Sequence, residues 1–190
     1  MLSYICMKLY KFERGFTLIE IMVVVAIIGV LSAVLFVSFS DARANARDSV
    51  RQADLKQLQL AIELYKAQNG RYPEQGCGGG THWTGPGTHP SAWGNVTDCP
   101  EYIAGLVPDF IAVLPTDPSF ENELGRGFMY NTDLAGTRYK VMIHQTVESK
   151  HVLNYNNEFA RCRQNYGTVF CGSTPQFNTY AIYSQGAEAW

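Results

Sequence analysis

The chain has 190 residues, a formal net charge of −2, and a composition that is 46% apolar, 13% aromatic and 17% charged. These values exclude intrinsic disorder and allow one sizeable domain with an appendage. No block of five or more like charges occurs, so the footprint that phosphate backbones require is missing and nucleic acid is not the expected partner. Mean hydropathy is only −0.10 although one segment near the N-terminus is almost purely apolar, so the remainder is clearly polar. The expected organisation is a membrane-inserted element followed by a soluble, exported domain.

The apolar segment runs from Phe16 to Phe39, FTLIEIMVVVAIIGVLSAVLFVSF. As a helix its 24 residues would reach about 36 Å against about 30 Å of hydrocarbon, enough to cross. Lys8, Lys11 and Arg14 precede it and Glu13 offsets them only in part, so the positive-inside rule leaves the N-terminus cytoplasmic and everything after Ser40 outside. A cleaved signal peptide is the competing reading, but its apolar region is usually about 7–15 residues and free of carboxylates. This run is longer and contains Glu20. A carboxylate among apolar residues needs a partner or an interfacial position. Cleavage after Gly15 would make Phe16 the N-terminus, whose α-amino group titrates near about 8 and would lie one helical turn from Glu20, or face the Glu20 of a neighbouring copy.

The run Arg14-Gly15-Phe16-Thr17-Leu18-Ile19-Glu20 ahead of a long apolar stretch resembles the class III signal of type IV pilins and pseudopilins. The resemblance implies that a prepilin peptidase cuts after Gly15 and N-methylates Phe16, and that the Glu20 carboxylate pairs with an N-terminal amine during filament assembly. The leader MLSYICMKLYKFERG starts more hydrophobically than family leaders usually do, and Met7 is a second candidate start, leaving MKLYKFERG.

From Ser40 to Asn69 there is neither proline nor glycine, and Gly70 followed by Tyr72-Pro73 supplies a stop. Together with the apolar part this predicts one helix of roughly 52 residues, about 78 Å long. Leu55, Leu58, Ile62 and Tyr65 recur at 3,4,3 spacing with Ala61 and Val50 close to the stripe, so this face is expected to pack against a domain. Arg43, Arg47 and Arg51 lie four apart on a separate face and read as a solvated surface, with a filament contact as the alternative. The stretch ADLKQLQLAIELYKAQNGRYPE resembles the major pseudopilins of type II secretion, where this helix ends in a Gly-x-Tyr-Pro turn. Leu114-Pro115-Thr116-Asp117-Pro118 and Tyr180 to Gly186 match that group less specifically, while 75–98 and 151–175 have no close counterpart in its short members.

The C-terminal half reads as strands. Gly127–Asn131 and Thr137–Gln145 flank an Asp133-Leu134-Ala135-Gly136 turn, and Tyr139, Val141 and Ile143 alternate with Lys140, Met142 and His144 as in a half-buried strand. Phe177–Ser184 is a third candidate, and Asp98-Cys99-Pro100-Glu101 predicts a short helix to about Leu106. The amphipathic part of the long helix would cover the sheet. The expected fold is therefore α+β and type IV pilin-like, one long N-terminal helix on a small antiparallel β-sheet. Its segments are a leader (1–15), a transmembrane and assembly helix (16–39), an amphipathic half-helix (40–74) and an exported globular domain with disulfide-stapled loops (75–190).

Cys6 falls in the leader, and four cysteines remain. In an exported domain an even count reads as disulfides, and of the three pairings four cysteines allow, Cys77–Cys99 with Cys162–Cys171 closes two local loops. Each bridge would add about 2–4 kcal/mol. A zinc site from Cys77, His82, His89 and Cys99 is the rival, but the spacing fits no compact ligand motif. The 77–99 insert also holds Trp83 and Trp93, either packed on the domain or displayed as a binding or adhesion tip in the manner of a minor pilin.

No Gly-x-Ser-x-Gly, phosphate-binding glycine loop or His-Glu-x-x-His occurs, so no catalytic residues are assigned and the chain is not expected to be an enzyme. No cofactor is expected. A calcium ion sits in the C-terminal loops of some major pseudopilins, and nothing in this sequence calls for one. The resemblance implies a structural prepilin of a type IV pilus or type II secretion pseudopilus, with homo-oligomeric filaments, the prepilin peptidase, an inner-membrane assembly platform and other pilins as partners. It would be a single-pass inner-membrane protein that enters an extracellular or periplasmic filament.

Overall fold

The computed structural model describes residues 15–77, 82–86, 99–119, 126–148, 157–161, 178–188 and 190, apart from the side chains of 33–38. The fold is α+β: helix α1 (Leu18–Asn69) is followed by strands β1 (Gly127–Thr132), β2 (Tyr139–His144) and β3 (Tyr180–Tyr183). The chain divides into two compact units, Met1–Asp41 and Ala42–Trp190.

In the first unit α1 begins at Leu18, and the apolar side chains from Leu18 to Leu31 lie open rather than packed on one another. Gly29 is its one interior glycine. The expected crossing segment 16–39 includes 33–38, whose side chains lie outside the described residues. Among the described residues no helix is long and apolar enough to cross a membrane. The leader up to Arg14 also lies outside the described residues.

In the second unit the remainder of α1 is continuous to Asn69, with Lys66 in its last turn, where a cation complements the helix dipole. It stops because Gly70 takes a positive φ of 75° while its N–H reaches the Lys66 carbonyl at 2.8 Å. The sheet is antiparallel with order β1-β2-β3, and its register pairs Phe128 with Ile143, Tyr130 with Val141, and Val141 with Ile182. The β1–β2 turn is built by Asp133, whose carboxylate accepts from the Thr137 and Arg138 backbone N–H groups at 2.6 and 3.1 Å. Gly136 stands at positive φ in that turn, and its carbonyl accepts from Tyr72 N–H at 2.8 Å, which docks the segment after α1 onto the hairpin.

Leu55, Leu58, Ala61 and Ile62 are buried against the sheet face made by Phe128, Tyr130, Tyr139, Val141, Ile143, Tyr180 and Ile182. Each of these large side chains contributes about 1.5–3 kcal/mol by leaving water. Tyr65 is partly buried at the edge of this core, its ring 5.3 Å from Phe110. Val50 is 49% exposed and does not share the stripe, contrary to expectation.

Two further expectations fail. Strand β2 is buried at all six positions rather than half-buried, because Trp83, Met129, Met142 and Ala181 form a second apolar layer joined by Tyr183 and Trp190 on the outer face. The expected short helix from Asp98 to Leu106 is a series of turns over its described part. Ile103 instead bridges to Gln75, Ala104 N–H reaches the Glu74 carbonyl at 2.9 Å, and Gly105 adopts positive φ, which no α-helix accommodates.

Candidate functional site

The predicted processing junction lies just ahead of α1. Gly15, Phe16 and Thr17 are non-helical and exposed, and a side chain built at Gly15 would meet nothing within 4 Å. The Gly15–Phe16 bond is therefore in open, extended-accessible backbone rather than inside a helical hydrogen-bond ladder. Thr17 is the N-cap of α1. Its hydroxyl accepts the Glu20 backbone N–H at 3.3 Å, while the Glu20 carboxylate accepts from the Thr17 backbone N–H at 2.9 Å and from its hydroxyl at 2.8 Å. This is a capping box, which satisfies helix N–H groups that have no partner within the helix.

Sequence reasoning weighed a cation partner or an interfacial position for Glu20 and missed this capping role, although Thr-x-x-Glu is its signature. One oxygen, Oε2, takes both Thr17 bonds. Phe16, Ile19, Ile21, Val23 and Val24 surround Glu20 with apolar surface, so the carboxylate and the Thr17 hydroxyl bonded to it stand together on an otherwise apolar, open helix end.

The 77–99 insert is anchored to the second unit. Cys77 and Cys99 form a disulfide, with Cα atoms 5.9 Å apart. That takes both sulfurs out of the proposed zinc set; His89 lies outside the described residues. Thr84 bridges to Tyr130 of β1 with N–H···O distances of 2.9 and 2.8 Å in the two directions, and its hydroxyl donates to the Tyr102 carbonyl at 2.7 Å. Trp83 is buried in the outer layer, as the packed reading expected; Trp93 lies outside the described residues. So do Cys162 and Cys171. Among the described residues no group of three or more His, Cys, Asp or Glu side chains is arranged to hold a metal ion. The C-terminal loops where calcium was considered lie mostly outside them.

The arginines of α1 do not form a solvated face. Arg51 is fully buried and uses all its N–H donors: Nε and Nη2 on the two Asp117 oxygens, both at 2.8 Å, Nη2 on Ser119 Oγ at 2.7 Å, and Nη1 on Asp48 at 2.7 Å and Glu148 at 3.0 Å. Arg47 pairs with Glu148 through Nε at 2.6 Å and through Nη2. Only Arg43 is exposed as expected. Burial would raise the Asp117 pKa, but the Arg51 guanidinium, with Thr146 and Ser119, holds it down to about 2. The network fastens α1 to the segment before β1 and the segment after β2. Spacing reveals only its i,i+3 pair, Asp48 with Arg51, because Asp117 and Glu148 lie 66 and 97 residues from Arg51 in sequence.

The comparisons with known proteins agree with the N-terminal reading. Residues 10–36 match the prokaryotic N-terminal methylation motif. The chain is similar to type II secretion system core protein G of Dickeya chrysanthemi, 40% identical over 68 residues, covering 35% of this chain and 44% of that protein. The core protein G of Klebsiella pneumoniae is 42% identical over 66 residues, 34% of this chain and 47% of that protein. The type IV major pilin protein PilA of Myxococcus xanthus is 41% identical over 62 residues, 33% of this chain and 28% of that protein. The matches thus span less than half the length of these relatives. No solved structure matches the chain. With its methylation motif, its long helix and these relatives, the chain is recognised as similar to the type IV pilin and type II secretion pseudopilin family.

Proposed function

We propose that the chain is a structural prepilin, cleaved after Gly15 and N-methylated at Phe16, that polymerises through α1 into a type IV pilus or a type II secretion pseudopilus. The observation that carries this reading is the open Gly15–Phe16 junction two residues ahead of a capped apolar helix, within the matched methylation motif. A peptidase needs extended backbone, and the capping box ends the helix before it can draw the junction in. The apolar stretch 16–39 holds the subunit in the inner membrane with the N-terminus cytoplasmic. The exported unit then enters a filament outside that membrane or in the periplasm.

In the assembled state the Glu20 carboxylate pairs with the Phe16 amine of its own or a neighbouring chain. Burying an unpaired carboxylate among apolar helices is unfavourable, and the amine offsets much of that cost while fixing axial register. The chain works as a building element rather than as an enzyme, with the peptidase, the assembly platform and other pilins as its partners. The adhesin-type alternative for the 77–99 insert loses one of its two aromatic anchors, since Trp83 is buried. Intact-mass and N-terminal peptide analysis tests the reading: a mature chain starting at methylated Phe16 supports it, and a terminus after the apolar run refutes it.

A further inference from the structure

After β3 the chain turns back over the outer face of the sheet and is held there in a different way from the strands. Ser184 still pairs with the β2 backbone, its N–H reaching the Tyr139 carbonyl at 3.1 Å. Beyond it the backbone bonds close on the segment itself: Ala187 N–H reaches the Ser184 carbonyl at 3.1 Å and Trp190 N–H the Ala187 carbonyl at 3.3 Å. Side chains from the sheet fasten the segment down. Lys140 Nζ donates to the Glu188 and Trp190 carbonyls at 2.9 and 2.8 Å, and Arg138 Nη1 donates to the Gly186 carbonyl at 3.1 Å. The Arg138 guanidinium also stands 5.1 Å from the centre of the Trp190 ring. Trp190 packs in turn on the outer layer of Trp83, Met129, Met142 and Ala181, none of them more than 7% exposed.

We propose that residues 185–190 form a strap, latched by Lys140, that lifts from the sheet while the inner core stays folded and so uncovers the layer holding Trp83 and Met142. The latch is costly to close, because it carries a well-hydrated amine to 0% exposure among aromatic and thioether groups. Around the amine stand Arg161 of the segment before β3, which repels its charge, Glu188 of the strap, which favours it, and the Tyr183 ring at 5.1 Å. Burial and Arg161 prevail and lower the Lys140 pKa to about 7. Opening returns the amine to water and to its ordinary pKa of about 10.4. The open state therefore takes up a proton between about pH 7 and pH 10, and the strap opens more readily as the pH falls through that window; below about pH 7 both states are protonated and the dependence ends. The inner core keeps its contacts throughout, since Phe128, Tyr130, Val141 and Ile143 pack with Leu55, Leu58 and Ile62 of α1 on the other side of the sheet. The device does not depend on polymerisation.

The test is methionine oxidation of the full chain in detergent by hydrogen peroxide, read by mass spectrometry as initial rates relative to a free methionine peptide in the same sample. Met142 and Met129 are 0% and 2% exposed, so their oxidation reports opening of the layer. Amide exchange at Val141 and Ile143, scaled to the free-peptide rate at each pH, reports opening of the sheet. In the wild type, Met142 oxidation is expected to be about tenfold or more faster at pH 7 than at pH 9 while Val141 and Ile143 stay protected. Lys140→Leu should abolish that pH dependence, and Trp190→Ala should speed oxidation at least roughly tenfold at pH 9 with the same two amides still protected. Wild-type oxidation that does not change with pH overturns the latch, and Met142 oxidation that rises only in step with exchange at Val141 and Ile143 overturns the strap, because the whole sheet is then what opens. A Trp190→Ala rate equal to wild type overturns it as well. Should Trp190→Ala not accumulate, Trp190→Leu replaces it, and the wild-type comparison decides without any variant.

Discussion

Replacing Arg51 with methionine tests the energetics of the buried network, because it keeps an unbranched apolar stem while removing the guanidinium head with its charge and donors. The substitution deprives Asp117, at 0% side-chain exposure, and Asp48, at 4%, of their guanidinium partner, while Asp48 keeps the Glu148 backbone N–H at 3.1 Å. Removing one member of a buried ion pair costs about 3–5 kcal/mol, which for a domain of this size lowers the melting temperature by roughly 10 °C. Asp117 retains bonds from Thr146 Oγ at 2.6 Å and Ser119 N at 2.8 Å, which places the loss toward the lower end of that range. The pH dependence gives a second signature. The folded pKa of Asp117 is held below its ordinary value, so the wild-type network stabilises fully above about pH 4 and that contribution is lost as pH falls toward about 2. In Arg51→Met burial dominates and raises the same pKa, so the deficit is largest near neutrality and shrinks on acidification. Urea unfolding of the full chain in detergent, followed by tryptophan fluorescence at pH 7 and pH 3, measures both. A loss below about 1 kcal/mol at pH 7, or a deficit that grows in acid, would refute the reasoning.

Lys140 provides a second pH-dependent prediction, in a higher window. Burial, aided by Arg161 and opposed by Glu188, lowers its pKa to about 7, while Nζ donates to the Glu188 and Trp190 carbonyls at 2.9 and 2.8 Å. The unfolded chain therefore binds more protons between about pH 7 and pH 10, and wild-type stability should rise across that window, whereas Lys140→Met should flatten the rise in urea midpoints. Gly76→Ala should disorder the insert, since the added Cβ would collide with the Glu101 backbone carbonyl; faster proteolysis within 77–99 is the readout. Thr17→Val removes the N-cap and should cost about 1 kcal/mol at the first turn of α1, seen as faster amide exchange at Ile19 and Glu20.

Much of this architecture is legible in local pattern. Proline-free sequence with Gly70 after it placed the end of α1, and alternating residues around Asp133–Gly136 placed β1 and β2 within a residue or two. What local pattern misses depends on distant segments. Lys140, Met142 and His144 look like a solvent face until Trp83 and Trp190, from segments far apart in the chain, cover it. Arg51 looks solvated until Asp117 and Glu148 arrive from two other segments. Cys77–Cys99 was legible because the loop is local, whereas Cys162 and Cys171 fall outside the described residues. Glu20 was recognised through its apolar surroundings, but its bond to Thr17 required attention to capping rather than charge.

The central claim is that Glu20 directs assembly rather than folding of the exported unit. Its direct test is electron microscopy of sheared filaments from wild-type and Glu20→Ala cells, with immunoblots of their membranes. The account predicts an alanine variant that is cleaved, membrane-held and bridged at Cys77–Cys99 yet absent from filaments. Normal filaments from Glu20→Ala would show that register is set elsewhere, and loss of the protein from membranes would show that Glu20 serves insertion or stability instead.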